Sequence, residues 1–225
     1  MHNKQNLDTN MTIKALVNPV TPFAQNAPII FCSETNKCAF VDPGGDADFL
    51  LQIAKENNLI PEKILLTHGH ADHAGAAMEI AQILNIKIEG PHKEDKFLLD
   101  SLQSQGEMFG MQARNCMPDK WLEDGDTVIV GNSVLDVIFT PGHTPGHVIF
   151  FSNESNLALV GDVIFRGSIG RTDLPRGNHQ DLIDSISKKL WPLGNDVEFI
   201  CGHGPNSTFG NERASNPFVS DAALS

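Results

Sequence analysis

The chain has 225 residues, 40% hydrophobic and 20% charged, the composition of an ordinary soluble globular domain, which excludes fibrous and disordered classes. Its 28 acidic and 16 basic residues give a formal net charge of -12, and the scattered Lys and Arg form no stripe for a phosphate backbone, so no nucleic-acid partner is expected. No apolar run reaches the length of a membrane span, and MHNKQNLDTN at the start has no apolar centre to act as a secretory signal, so the expected location is the cytoplasm, with no membrane partner.

Residues 1–10 read as a frayed tail, leaving one domain over 11–225. Residues 29–32 and 37–41 are expected as strands joined by the turn SETN, followed by DPGG and a helix over 47–57. A short buried strand is expected at 64–67. After it, Ala77, Ile80, Ala81 and Leu84 fall on one face of a helix, and a further helix is expected over 93–102. Residues 104–120 carry no clear period. Two hairpins follow, 127–130 with 134–139 and 147–151 with 157–160, then an amphipathic helix over 180–190 and a last strand at 197–200. Strands of this kind, interrupted by helices, predict two mixed sheets packed face to face with helices on both outer faces.

The four cysteines, Cys32, Cys38, Cys116 and Cys201, show no CxxC spacing and are expected as thiols in a reducing compartment. Cys201, two residues before a histidine, reads as buried filler at the end of an apolar run.

The segment THGHADHAG, residues 67–75, places three histidines and an aspartate directly after the apolar Ile64-Leu65-Leu66. In an extended segment alternate side chains point the same way, so His68 and His70 can chelate one ion. Asp72 and His73 fall where the chain turns into a helix and can address a second. The helical alternative needs histidines at i and i+4, and Gly69 opposes it. Three other strands end in the same manner: residues 134–139 run to His143, 157–160 to Asp162, and 197–200 to His203, each ligand beside a glycine that lets backbone approach an ion. The arrangement expected is His68, His70 and His143 on a first ion and Asp72, His73 and His203 on a second, with Asp162 bridging, a spacing suited to two ions about 3.5 to 4 Å apart. A lone histidine is by default a hydrogen-bonded core or surface imidazole. Seven such residues at strand ends reverse that default, whereas His2, His92, His147 and His179 keep it, His147 serving at most to support a ligand. Asp42 has two readings: a hydrogen-bond partner of a ligand imidazole, or a turn former before Pro-Gly-Gly.

These residues carry a resemblance. T-H-x-H-x-D-H at 67–73, PGHT at 141–144, GD at 161–162 and GHG at 202–204 resemble the metallo-β-lactamase superfamily, and VDPGGDA, GDVIFRGSIGRTDLPRG and GHGPNSTFGNERASNPF look like its short, single-domain type II glyoxalase-like members. The resemblance implies a four-layer αββα sandwich of the α/β class, two divalent ions (Zn2+, with Fe or Mn as alternatives) on the seven residues, and a small-molecule substrate, S-2-hydroxyacylglutathione such as S-lactoylglutathione. It places Arg171, and secondarily Arg166, as substrate contacts in a monomer or homodimer. This chain departs from the larger type II glyoxalases in ending before their C-terminal helical domain and in having no tyrosine. The expected reaction is attack on the thioester carbonyl by hydroxide generated between the ions, with Asp72 orienting it and the thiolate leaving with little need of a proton. Rival readings are a mononuclear-iron persulfide dioxygenase using His68, His143 and Asp162, and a catalytically silent metal-binding module.

Overall fold

In the computed structural model, residues 12–225 are described; the expected tail and Met11 lie outside them. The chain opens with a hairpin, β1 (Ile13–Val20) and β2 (Gln25–Cys32), continues through β3 (Lys37–Val41) and α1 (Ala47–Glu56) to β4 (Ile60–Leu65), then makes the short α2 (Ala71–Ala74), α3 (Ala77–Leu84) and β5 (Lys87–Glu89). These strands form one mixed sheet in the order β1-β2-β3-β4-β5, in which β3, β4 and β5 run parallel. Two helices, α4 (Lys96–Leu99) and α5 (Leu102–Phe109), lead to β6 (Thr127–Val130), β7 (Ser133–Phe139), β8 (Val148–Ser152) and β9 (Leu157–Gly161). A two-strand ribbon, β10 (Ile164–Phe165) with β11 (Ser168–Ile169), precedes α6 (His179–Ser185), β12 (Glu198–Cys201), β13 (Ser207–Thr208) and α7 (Phe209–Ser215). The second sheet has the order β13-β12-β9-β8-β7-β6.

Three apolar layers hold the sandwich, and strand alternation assigns residues to them. On β8, Val148 and Phe150, with Ile200 of their own sheet, face the other sheet and its Val41 and Leu65, whereas Ile149 and Phe151 face the layer containing Leu182, Ile186 and Phe209. On the first sheet, Phe40 and Ile64 pack outward with Leu50, Ala77 and Ile80 from α1 and α3. Both sheets are therefore covered on both faces, which is why their strands read as short, nearly unbroken apolar runs. The expected αββα layering holds.

Several boundaries differ from expectation. β1 escaped the sequence reading because Asn18 and Pro19 interrupt its apolar pattern, and β2 begins four residues before the expected strand. Pro28 is tolerated there because β3 pairs only with residues 29–31 of β2, so its missing N–H costs no ladder bond on that side. β4 starts at Ile60 and shifts register after Pro61, a bulge that masked its first half. The helix expected over 93–102 is a 3-10 turn at Lys93–Asp95 followed by α4, and α5 extends into the stretch that carried no period. Cys32 and Cys38 lie on opposite faces of the hairpin, since Cys38 pairs with Phe31, and all four cysteines are unbridged thiols.

Candidate metal centre

All seven predicted ligands meet at one edge of the sandwich. His68 and His70 follow β4, Asp72 and His73 lie in α2, His143 follows β7, Asp162 follows β9 and His203 follows β12. Each strand is packed in the core, and the segment beyond it carries the candidate side chains, the usual division between scaffold and site.

The donors fall into two groups. His70 Nδ1 lies 3.1 Å from His68 Nε2 and 3.0 Å from His143 Nε2. Three inward-facing ring nitrogens at this spacing resemble the edges of a tetrahedron with arms of about 2.1 Å, the Zn–N distance. In the second group, Asp72 Oδ2 lies 3.2 Å from His203 Nε2 and 3.8 Å from His73 Nε2. Within each triad the donor atoms lie within 4.8 Å of one another. Asp162 stands between them: its Oδ2 is 3.7 Å from both His143 Nε2 and His203 Nε2, and its Oδ1 is 3.3 Å from His73 Nε2. His73 Nε2 and Asp162 Oδ1 are buried without a hydrogen-bond partner. Buried polar atoms are normally paired, and an all-imidazole triad beside an imidazole-carboxylate triad suits divalent zinc, iron or manganese. The residues fit two cations.

In four of the five rings a hydrogen bond at the far nitrogen fixes the tautomer. His143 donates from Nδ1 to the Arg171 carbonyl at 2.7 Å, and His203 Nδ1 reaches the Phe23 carbonyl at 3.3 Å. His68 Nδ1 meets Thr67 Oγ1 at 3.0 Å, while that hydroxyl donates to Asp42 Oδ2 at 2.6 Å. The same Asp42 oxygen accepts from His73 Nδ1 at 3.0 Å. One buried carboxylate thus orients a ligand in each group and turns both Nε2 atoms inward. Asp42 also has φ of +46°, so both readings of it hold: it makes the turn and supports the ligands. His147, expected at most to support a ligand, is fully buried, stacks on His68 with centroids 4.9 Å apart, and accepts the Asp162 N–H at Nε2 (3.2 Å).

Glycines make the convergence sterically feasible. A Cβ on Gly202 would stand 2.0 Å from Asp162 Oδ1 and 2.5 Å from His73 Cε1, and one on Gly44 would meet the Asp72 carbonyl. Cys201 turns away and donates to the His203 carbonyl at 3.0 Å, with burial pushing its thiol up to about 11.

Electrostatically the groups differ. Burial, with the other imidazoles adding to it, drives His68 well below the usual histidine range and His70 down to about 3; burial also lowers His143. These rings are neutral, with free lone pairs. Around the second group burial opposes charge but is outweighed: Asp162 and Asp72 raise His73 well above its ordinary value, a hydrogen bond to Asp72 raises His203, and His73 in turn holds both carboxyls low.

The centre opens into a cleft of about 460 Å³ walled by Phe23, Phe109, Phe165 and Ile169. Phe23 and Phe109 meet edge-on at 5.6 Å across its mouth, and Gln105 on α5, not anticipated from the sequence, accepts the Ala71 N–H at 3.1 Å. Arg171 lines the cleft and forms a bidentate pair with Asp173 at 2.7 Å. Arg166 faces a different depression, with Asn206 and Glu212.

The model of the metallo-beta-lactamase superfamily matches residues 20–203. Hydroxyacylglutathione hydrolase GloC of Haemophilus influenzae is 44% identical over 203 residues, covering 89% of this chain and 95% of that protein. The crystal structure of BLEG-1 B3 metallo-beta-lactamase superposes with a TM-score of 0.84 at 34% identity, covering 92% of this chain and 99% of that one. TTHA1623 in a di-iron-bound form gives 0.83 at 33% identity, over 91% and 100%.

Proposed function

The chain belongs to the metallo-beta-lactamase superfamily and is one of its hydrolases, and on that premise we propose that it cleaves the thioester of a small thiol, S-2-hydroxyacylglutathione of the lactoyl type, with two zinc ions on the seven residues. The observation that carries this reading is the meeting of two donor triads on one shared carboxylate, Asp162, at the floor of a cleft sized for a small molecule.

Two divalent cations, when bound, supply Lewis acidity and bring the pKa of water toward neutrality. The chain's own groups do the rest. Asp72 faces the cleft beside His203 and accepts a proton-bearing nucleophile's hydrogen bond, which orients it. The aromatic wall of Phe23, Phe109 and Phe165 thins the water around the reacting carbonyl. Arg171 receives a carboxylate of the thiol moiety. Outside the seven donors, Arg171 is the one titratable side chain among the described residues lining the cleft. No general acid stands ready for a basic leaving group. A thiol, with an ordinary pKa near ~8.5, departs as the anion and needs none, whereas an amide nitrogen does. The chemistry of the cleft therefore favours thioesters over β-lactams. Unbridged cysteines and a glutathione-type substrate support a cytoplasmic location, and no helix among the described residues is long and apolar enough to cross a membrane.

Elemental analysis of the purified protein, alongside hydrolysis of S-lactoylglutathione, tests the reading. Two ions per chain with thioester turnover are expected, and both should fail in His68→Ala and Asp162→Ala. Oxygen uptake with glutathione persulfide in iron-loaded protein, without thioester hydrolysis, would move the assignment to a persulfide dioxygenase. Metal without either activity would leave a silent binding module.

A further inference from the structure

Asp95 is fully buried at the end of the turn before α4 and is not one of the seven donors. Its Oδ2 accepts the Gly69 N–H at 2.9 Å and the Thr144 hydroxyl at 2.7 Å, and its Oδ1 accepts the Gly146 N–H at 2.6 Å. Gly69 separates His68 from His70; Thr144 follows His143 directly. One carboxylate is thereby bonded to both loops that deliver the three imidazoles of the first group. The approach is built to be close: a Cβ on Gly146 would stand 2.4 Å from Asp95 N and 2.7 Å from its carboxyl, and one on Gly69 would meet Leu98 Cβ at 2.7 Å. A second tie, His92 N–H to the Gly146 carbonyl at 3.0 Å, holds the same turn against the His143 loop. Burial pushes the Asp95 carboxyl up to about 6 against the pull of Thr144 and the two N–H groups, so the position is an unfavourable one for a charge. Stability alone could be served there by a neutral side chain.

We propose that Asp95 is a positioning residue that sets the spacing of the His68, His70 and His143 nitrogens by bracing their two loops against each other. The proposal rests on the two-ion reading. It adds that the His68-His70-His143 ion depends on a carboxylate that touches neither ion nor substrate, because loosening either loop changes the 3.0–3.1 Å spacing on which that ion's fit depends. In Asp95→Asn, one carboxylate oxygen becomes an amide donor facing a backbone N–H or the Thr144 hydroxyl, and the brace opens.

The test is a Zn2+ titration of the metal-stripped full chain against a chromophoric chelator, comparing wild type, Asp95→Asn, Thr144→Val and Glu212→Gln. Glu212 is the control: an equally buried carboxylate that gathers Gly167 N–H, Ser207 and Asn216 and bonds to neither ligand loop. Expected in Asp95→Asn is a fall of about 10- to 100-fold in the affinity of one ion, the range for removing a ligand's supporting partner, with the other ion unchanged. The same fall should appear in a His203→Ala background, where the first group is the one left intact. Glu212→Gln should lower the melting temperature and leave both affinities alone. Asp95→Asn that folds and binds both ions as wild type does overturns the proposal, as does one that resembles Glu212→Gln. Should Asp95→Asn fail to fold, Thr144→Val decides: it removes one of the three bonds at constant shape, and unchanged affinity overturns the brace, while a several-fold loss supports it. A wild type that binds two ions but hydrolyses no thioester would refute the proposed function without touching these affinities.

Discussion

Replacing Gly202 with alanine probes whether Asp162 joins the two donor groups. The added Cβ would lie 2.0 Å from Asp162 Oδ1 and 2.5 Å from His73 Cε1, whereas real Cβ atoms essentially never approach within 3.0 Å, so the carboxylate must retreat by about 1.0 Å. The backbone is poorly placed to yield instead, because Gly202 N–H donates to the Gly161 carbonyl at 2.8 Å and the Gly202 carbonyl accepts the Asn26 N–H at 2.7 Å. Gly202 has no left-handed φ, so the effect is contact and not backbone strain. Metal–ligand distances tolerate about 0.2 Å, so a shift several times larger should strip at least one ion, and misplacement by ~1 Å commonly costs about 100-fold in rate. The overpacking itself should cost about 1–3 kcal/mol of stability. Metal content, thioester turnover and the melting curve read the three effects separately. A Gly202→Ala protein that keeps both ions and full turnover would refute the bridging role of Asp162.

Arg171→Ala should raise KM for a glutathione thioester while kcat and metal content hold, because Arg171 supports His143 through its backbone carbonyl and its exposed pair with Asp173 is worth little; loss of metal would instead show the side chain to be structural. Asp42→Asn keeps a residue type that tolerates the left-handed turn but weakens the acceptor shared by Thr67 and His73, so metal affinity should fall about 10- to 100-fold, read by chelator competition. Zinc binding should release protons unequally. His73 is raised well above the ordinary imidazole range and holds a proton at neutral pH that a cation must displace, so affinity at its group should rise with pH; His70, lowered to about 3, has none to lose. Equal proton release for both ions in a weakly buffered titration would count against this division.

The seven donors were legible because each lies just past an apolar run and beside or near a glycine, a local pattern that survives without knowledge of the fold. What lies behind them was not. Asp95 sits in PHKEDK, which reads as an exposed helix start, and its three partners are 26, 49 and 51 residues away. The Arg171 carbonyl orients His143 through an atom that every residue possesses, so its side chain gave no hint. Asp42 announced its turn through Pro-Gly-Gly but not its two imidazole-linked bonds. In the fold, period-2 and period-3.6 patterns located the central strands and α1, α3 and α6. They failed at β1, where Asn18 and Pro19 break the pattern. They failed again at α5, whose Gln, Ser and Gly show no apolar stripe because the helix is held partly by Gly106 packing against Met111 and Ala113.

Both donor groups draw on both sheets. The first takes His68 and His70 from the loop after β4 and His143 from the loop after β7; the second takes Asp72 and His73 from one sheet's connection and His203 from the other's, and Asp162 comes from the second sheet. The distance between donors is therefore set by how the sheets pack, through Val41 and Leu65 on one side and Phe150, Leu159 and Ile200 on the other. Protein interiors resist compression and do not drift continuously, so an apolar layer with no contact to the chemistry acts as the ruler for it. The coupling runs in both directions. Ions that bind only the folded arrangement stabilise it by mass action, and because their ligands span the sheet interface, that stabilisation acts on the interface itself, tying the sandwich together at the edge where its glycine-rich loops converge.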